Sequence, residues 1–214
     1  MPRKLRHCRT IVYFRDNMAE RGGYNITDQY GTYFVTFTTV GWVDIFSRKQ
    51  CRDIIIDSLR YCTQHKGLQL HAYVIMSNHV HMIATADPDS PGLSGVLRDM
   101  KRYTSNQIIK WITTSGKESR REWMEVVLKY HAKFNKRNSK YQVWQQDNNH
   151  PVQCTHPKFT IQKLNYIHSN PVVAGIVDQA DHYKYSSAKD YHSQKGILDI
   201  TIIDHGVQEG YVML

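Results

Sequence analysis

His79, Val80 and His81 lie inside an apolar run, 72–76 and 80–84. Side chains alternate along a strand, so both histidines would share one face, their attachment points about 6.6 Å apart. Two neutral imidazoles at that spacing can converge on one divalent ion, while Val80 and Met82 turn into a core. A pair is not a complete catalytic site, which needs a further ligand and open positions for water or substrate. With few soft ligands nearby, Mg²⁺ or Mn²⁺ is the expected ion. The second chemical segment is Tyr166-Ile167-His168-Ser169-Asn170, ahead of Pro171. Four residues apart, Tyr166 and Asn170 share a helix face. The carboxamide of Asn170 can supply a third metal ligand. The phenol of Tyr166 can attack a phosphate and hold the bond energy in a phosphotyrosine link. A phenol of pKa ~10 needs help near neutrality, and a metal on the phosphate supplies it. Tyr103, with Gln107 four residues on, copies the arrangement at the margin of another helix's apolar stripe. Spacing alone leaves Tyr103 and Tyr166 as rivals. The bland alternatives are a solvated strand face and one more packing tyrosine among 14.

These groups need a frame to position them. The chain has 214 residues and 41% hydrophobic content, which suits one domain with appendages. Lys+Arg number 28 against 19 Asp+Glu, a formal charge of +9, which favours a polyanionic partner. The four cysteines (Cys8, Cys51, Cys62, Cys154) form no C-x-x-C pair and fit a reducing compartment. Cys51 and Cys62 should pack as small apolar residues of a helix. The basic N-terminus lacks the apolar stretch of a secretory signal, and no segment approaches the ~20 apolar residues of a membrane span. A soluble, cytoplasmic protein is expected.

Residues 1–27 read as an N-terminal arm, 28–192 as the working domain and 193–214 as a tail. Tyr33 to Val40 is aromatic and β-branched and predicts a strand. Ser47-Arg48-Lys49-Gln50 has the form of a capping box, followed by a helical pattern that Gly67 stops. Leu68 to Met76 and His79 to Ala86 predict two strands joined by Ser77-Asn78 as an antiparallel hairpin. From Pro91-Gly92, the residues Leu93, Val96, Leu97, Met100, Thr104, Ile108 and Trp111 recur at helical spacing. A further helix is expected from about Lys117 to His131, its apolar pattern running through Trp123, Val126, Val127 and Tyr130. A short helix should end at Asn170, because Pro171 disfavours helical geometry before it. The order β-α-β-β-α lacks one strand of a ferredoxin-like β-α-β-β-α-β sandwich, an α+β fold with helices on one face of an antiparallel sheet. Val152-Gln153-Cys154 or part of 140–147 is the candidate for it.

Here the residues carry a likeness. Tyr73-Val74-Ile75-Met76-Ser77-Asn78-His79-Val80-His81-Met82-Ile83 resembles the HUH strand of single-tyrosine, insertion-sequence-200-like transposases. The run from Leu164 through Tyr166, Asn170 and Pro171 to Val177 looks like the tyrosine helix of their REP-associated branch. Tyr185-Ser186-Ser187-Ala188 and Trp144-Gln145 fit that branch too. The likeness spans about 30–190, and Ser77 departs from the proline that is common at its turn. The resemblance implies an HUH endonuclease core with a C-terminal tyrosine-bearing helix that handles single-stranded DNA, often near palindromic hairpins. It implies His79, His81 and Asn170 as metal ligands. It also selects Tyr166 over Tyr103 as the nucleophile that leaves a 5′-phosphotyrosine and a free 3′-OH.

DNA would be held by Arg98, Lys101, Arg102, Lys133, Lys136, Arg137 and Lys140, each neutralised phosphate adding salt-dependent affinity. Trp144 or Tyr141 could stack unpaired bases, and His150 could orient substrate. The expected function is a metal-dependent DNA strand transferase. The alternative is a non-catalytic hairpin-DNA binder derived from a transposase. A replication-initiator or relaxase-type nickase is a third reading, for whose accessory domains the chain has little room. Related transposases can pair into homodimers by exchanging the tyrosine helix, and the residues leave that open.

Overall fold

The computed structural model describes residues 25–134, 140–146 and 151–203. Lys136, Arg137 and His150 lie outside the described residues, as do Cys8, most of the expected arm and the last part of the tail.

The sheet has four antiparallel strands, β1 (Tyr33–Thr38), β2 (Leu68–Ile75), β3 (His79–Ala86) and β4 (Val152–Gln153), in the order β2-β3-β1-β4. Helices α1 (Lys49–His65), α2 (Gly92–Thr114), α3 (Arg121–Lys133) and α4 (Pro157–Val173) complete the frame. The fold is the expected ferredoxin-like α+β sandwich with an added helix. Both candidates for the last strand lie along β1. Val152 and Gln153 pair with Phe34 and Tyr33, and Trp144 bridges Thr39 further along the same edge.

The strands are apolar on both faces because both faces are covered, so helices are not confined to one side as the simple sandwich predicts. Seven of the eight β2 residues are buried. One face carries Val35, Phe37, Val80 and Met82 against α1 and α2. The other carries Phe34, Thr36, His79 and His81, and α4 packs there, its Tyr166 ring meeting Phe34 and His81. Beyond the β2 edge, Ile75 N–H donates to Tyr185 O at 2.9 Å and Tyr73 N–H to Ser187 Oγ at 2.9 Å. The Tyr185-Ser186-Ser187 segment thereby caps backbone groups that an open edge would expose.

Local details correct four expectations. Ser47 caps no helix: its Oγ donates to Asp44 O within a 3-10 turn, and α1 begins after Arg48 without a side-chain cap. Helix α3 starts late, at Arg121, because Glu118 is drawn inward. Its enclosed carboxylate accepts from Arg48 Nε at 2.8 Å and Nη2 at 2.9 Å and from Arg120 Nε at 3.2 Å. Arg48 first, then Arg120, hold that carboxyl down at about 2 against the cost of burial. The buried stripe of α3 is Met124, Leu128 and Ala132, with Trp123, Val126 and Tyr130 exposed. Helix α4 runs through Pro171 to Val173 and closes on Gly175 at positive φ, with Gly175 N–H on Val172 O and Ile176 N–H on Pro171 O. Cys51 and Cys62 are buried in α1 as expected, burial pushing their thiols up to about 12 and about 11. No helix among the described residues is long and apolar enough to cross a membrane.

Candidate active site

The hairpin presents the imidazoles. Met76 N–H donates to His79 O across Ser77-Asn78 and closes the β2–β3 hairpin, while pairing with β1 sets His79 opposite Thr38 and His81 opposite Thr36. The two imidazole rings are 4.6 Å apart, centroid to centroid. Each ring spends Nδ1 on a neighbour. His79 Nδ1 lies 2.7 Å from Asn78 Oδ1, an acceptor, so Nδ1 carries the proton and Nε2 keeps its lone pair. His81 Nδ1 lies 2.8 Å from Thr36 Oγ1. This is how metal-binding histidines are usually held, the far nitrogen fixed and the near one aimed at the ion. Burial lowers His79 to about 4 and His81 well below its ordinary value, with the charge of Lys163 adding to the latter. Both rings are thus neutral at pH 7, as ligands must be.

Helix α4 brings the phenol. Tyr166 is 48% exposed, and its ring sits 5.2 Å from that of His81, which is only 6% exposed. Phe34 stacks on His81 at 5.4 Å and meets Tyr166 edge-on at 6.1 Å, so one aromatic side chain braces both groups. Asn170, one turn on, donates from Nδ2 to Tyr166 O at 3.3 Å, so the acceptor end of its carboxamide is not used in that bond. The α4 backbone is pinned from behind: buried His168 Nε2 lies 2.9 Å from Ser187 Oγ, itself bonded to Tyr73. Among the described residues no three of His, Cys, Asp and Glu gather. A third donor therefore falls to a carboxamide, water or a phosphate oxygen. Two neutral imidazoles supply donors of the kind a divalent ion takes, with its other positions open to oxygen ligands.

The expected DNA contacts lie elsewhere. Arg98, Lys101 and Arg102 line a cleft of about 730 Å³ with Asn106, Gln142 and Trp144, on the α2 side of the sheet. Arg98 and Arg102 are solvent-facing beside Asp99. Lys101 is half-buried: its ammonium sits 5.2 Å over the Phe37 ring and donates to Gln145 O at 3.2 Å, and burial lowers it to about 8. Trp144 is no base platform. It is 3% exposed, stacks on Phe46 at 5.6 Å and donates its indole N–H to Thr104 Oγ1 at 3.1 Å. Tyr141 is half-buried and donates to Glu125. Lys133 and Lys140 are exposed near the end of α3 and after it. Tyr103 is exposed, not marginal, and belongs to α2, across the sheet from the histidines.

Sequence reasoning missed Phe34, Thr36, Asn78 and Lys163. The first two could have been found from strand alternation once β1 and β3 were paired. Lys163 stands three residues before Tyr166, a same-face spacing, with its ammonium 5.1 Å over both Phe34 and Phe159.

Sheet order, with a tyrosine-bearing helix laid over the face that carries the paired imidazoles, gives an α+β fold shared with solved transposases. A solved REP-associated tyrosine transposase, in a structure bound to a REP hairpin, aligns over 92% of this chain and 100% of its own, with TM-score 0.52 and 19% identity, a likeness of fold. A putative transposase from Deinococcus radiodurans R1 aligns over 44% of this chain and 68% of its own, at TM-score 0.33 and 20% identity. The family model described as "Transposase IS200 like" matches residues 32–132 of this chain. Comparison with curated proteins gave no match.

Proposed function

We propose that this transposase domain cuts and rejoins single-stranded DNA through Tyr166, with a divalent ion, Mg²⁺ or Mn²⁺, held by His79, His81 and Asn170. The observation that carries the reading is the packing of the Tyr166 ring against His81, 5.2 Å apart, within one chain. No exchange of helices between copies is needed to unite them, so a homodimer is not required for the chemistry.

Tyr166 Oη attacks the phosphorus of a phosphodiester. The O–P bond to the phenol forms as the bond to the 3′-oxygen breaks. That oxygen leaves as a 3′-OH, and the phenol's proton passes to solvent, which reaches the half-exposed side chain. The strand stays attached as a 5′-phosphotyrosine, and a second 3′-OH can reverse the step on a new end. When bound, the ion withdraws charge from the phosphate. Lys163 stands one turn before Tyr166 and lends a further positive charge to the phosphate. Phe34 braces both rings, stacked on the imidazole and edge-on to the phenol. The neighbour's hairpin ligand supports a DNA hairpin with an unpaired flank as substrate.

The working unit is taken as 28–192. Residues 193–203 lie against it, with Leu198 buried and Thr201 N–H donating to Leu70 O at 2.9 Å.

The test is incubation of labelled hairpin DNA carrying single-stranded flanks with the protein and Mg²⁺ or Mn²⁺. A covalent protein–DNA adduct is expected, lost with chelator and in Tyr166→Phe. An adduct that persists in Tyr166→Phe overturns the assignment. The basic cleft across the sheet favours one second reading, a hairpin-binding regulator without catalysis. It predicts tight, salt-sensitive binding indifferent to chelator and to Tyr166→Phe, with no adduct under any condition.

A further inference from the structure

Trp42 is a large aromatic residue with two properties that a packing residue lacks. It is 62% exposed, and its backbone is left-handed, φ 54°, directly after Gly41 at φ 59°. A bulky side chain at positive φ is strained and persists only where its surroundings enforce it. They do so here. Thr39 Oγ1 donates to Val43 O at 2.7 Å and to Asn78 O at 3.0 Å, and Phe46 N–H donates to Ser77 O at 2.9 Å. The turn is thereby tied to the hairpin that carries His79. The tie reaches the histidine itself: Asn78 Nδ2 donates to Trp42 O at 3.4 Å, while Asn78 Oδ1 receives His79 Nδ1–H.

The aromatic surface continues away from the site. Gly41 packs against Val127 and His131 of α3, where an added Cβ would lie 3.1 and 3.2 Å from them. The His131 ring meets Tyr130 edge-on at 5.5 Å, and Tyr130 meets Phe134 at 5.0 Å. Tyr130 is 56% and Phe134 73% exposed. This is the face of α3 that the sequence pattern assigns to the core and the fold leaves outside.

We infer that Trp42, Tyr130 and Phe134 form a stacking track for the unpaired DNA strand that flanks the phosphate at His79 and His81. The inference rests on the proposed action on single-stranded DNA and names the surface that would hold its flank. Charge favours this occupant over an apolar protein segment. The chain carries +9, and exposed Lys133 stands beside Phe134. Of the carboxylates along this side, Asp44, Glu118 and Glu125 are already bound by Arg120, by Arg48 and by Arg121 with Lys129, and Glu122 stands exposed in the first turn of α3, away from Phe134 at its far end. Bases stack on such rings whatever their identity, because every base has a π-face.

The test uses the full chain in EDTA, so that cutting plays no part. A fluorescein-labelled thymidine 15-mer and a blunt duplex of equal length are titrated by anisotropy. Trp42→Ala and Tyr130→Ala should each weaken 15-mer binding about tenfold, a typical base-stacking loss, with the duplex unaffected. Trp42→Phe should stay within about twofold of the parent. Trp42→Gly should lose binding like Trp42→Ala while its melting temperature holds or rises, since glycine relieves the strained backbone. Unchanged 15-mer binding in Trp42→Ala and Tyr130→Ala overturns the track alone. A lower melting temperature in Trp42→Ala with unchanged binding also overturns it, and assigns the face to the chain's own segments. Failure of the parent protein to bind the 15-mer overturns the track together with the single-stranded DNA reading beneath it.

Discussion

The two faces of the sheet are made from alternate residues of the same strands, yet they have been put to different uses. Under α4 lie Phe34, Thr36, His79 and His81, with imidazoles held neutral and a half-exposed phenol against them. Under α2 lie Val35, Phe37 and Val80, a buried Trp144 and a cleft edged by Arg98, Lys101 and Arg102. One side places reactive groups, and the other builds the core and gathers positive charge. A single-residue register slip in β1 or β3 would exchange the two sets.

The sharpest way to break this contrast is the pair of tyrosines that spacing could not separate. Tyr166→Phe should lower adduct formation on the order of 10³-fold or more, as loss of a nucleophile does, and leave binding to the cleft face intact. Tyr103→Phe should change neither. Equal losses in both, measured on denaturing gels with labelled hairpin DNA, would mean that the sheet does not divide the functions this way.

Second comes Trp144, assigned by sequence to base stacking and by the structure to the core. Trp144→Ala should cost about 3–5 kcal/mol of stability, read by urea denaturation, through the cavity it leaves beside Phe37 and Phe46. Trp144→Phe should cost less and should leave single-stranded DNA affinity unchanged once the protein is folded. An affinity loss at full stability would return Trp144 to the DNA.

Those two residues also show what the sequence could and could not convey. Strand alternation around Val80 placed His79 and His81 on one face, because a strand's period of two admits no other arrangement. The α2 stripe was legible for a similar reason: Leu93, Val96, Leu97, Met100, Thr104 and Ile108 are all buried. Helix α3 offers two stripes at helical spacing, and the bulkier one, Trp123 to Tyr130, is the wrong one. Size attracts attention, but burial is decided by what the helix packs on, and Met124, Leu128 and Ala132 face the body. Trp144 misled in the opposite sense, since a tryptophan in a polar loop looks available until Thr104 takes its indole N–H. Pro171 signals a stop, but a proline costs a helix only one N–H near its end, and α4 continues for two residues beyond it. Asn78 and Thr36 were invisible as partners of the imidazoles because one depends on hairpin geometry and the other on strand pairing.

The faces should also separate by pH in the metal-free protein. Burial holds His168 near about 3 and His79 near about 4, below the ordinary value of 6.5. Below pH 6.5 the unfolded chain takes up protons that the folded one refuses, so stability falls as pH drops toward these values. Each should cost on the order of 2 kcal/mol by pH 5, read as a falling urea midpoint. Lys101 acts in another window. Burial lowers it to about 8 from 10.5, so the folded form releases its proton first and the contribution of Lys101 to stability rises between those values. The raised thiols of Cys51 and Cys62 pull the other way above pH 9.0. Lys101→Met should therefore steepen the alkaline fall and leave the acid loss untouched. His168→Gln should shrink the acid loss to the share of His79 and leave the alkaline limb untouched. An acid loss unchanged by His168→Gln would detach it from the helix that carries Tyr166.

The smallest effects should come from two threonines, one on each face, that each hold a ring. Thr36 Oγ1 fixes His81 Nδ1, and Thr104 Oγ1 accepts the Trp144 indole N–H. Both become valine with little change of shape. Thr36→Val frees one nitrogen of the ring proposed as a ligand, which should weaken Mn²⁺ binding about tenfold in calorimetry, the mild end of what outer-sphere partners contribute. Its effect on stability should be slight, because the imidazole remains packed by Phe34. Thr104→Val leaves a buried indole N–H unpaired and should cost about 1–3 kcal/mol of stability with no change in metal affinity. The two substitutions remove the same kind of hydrogen bond from opposite sides of one sheet. If both moved metal affinity, or both moved only stability, ring fixation would not be specialised to the α4 face.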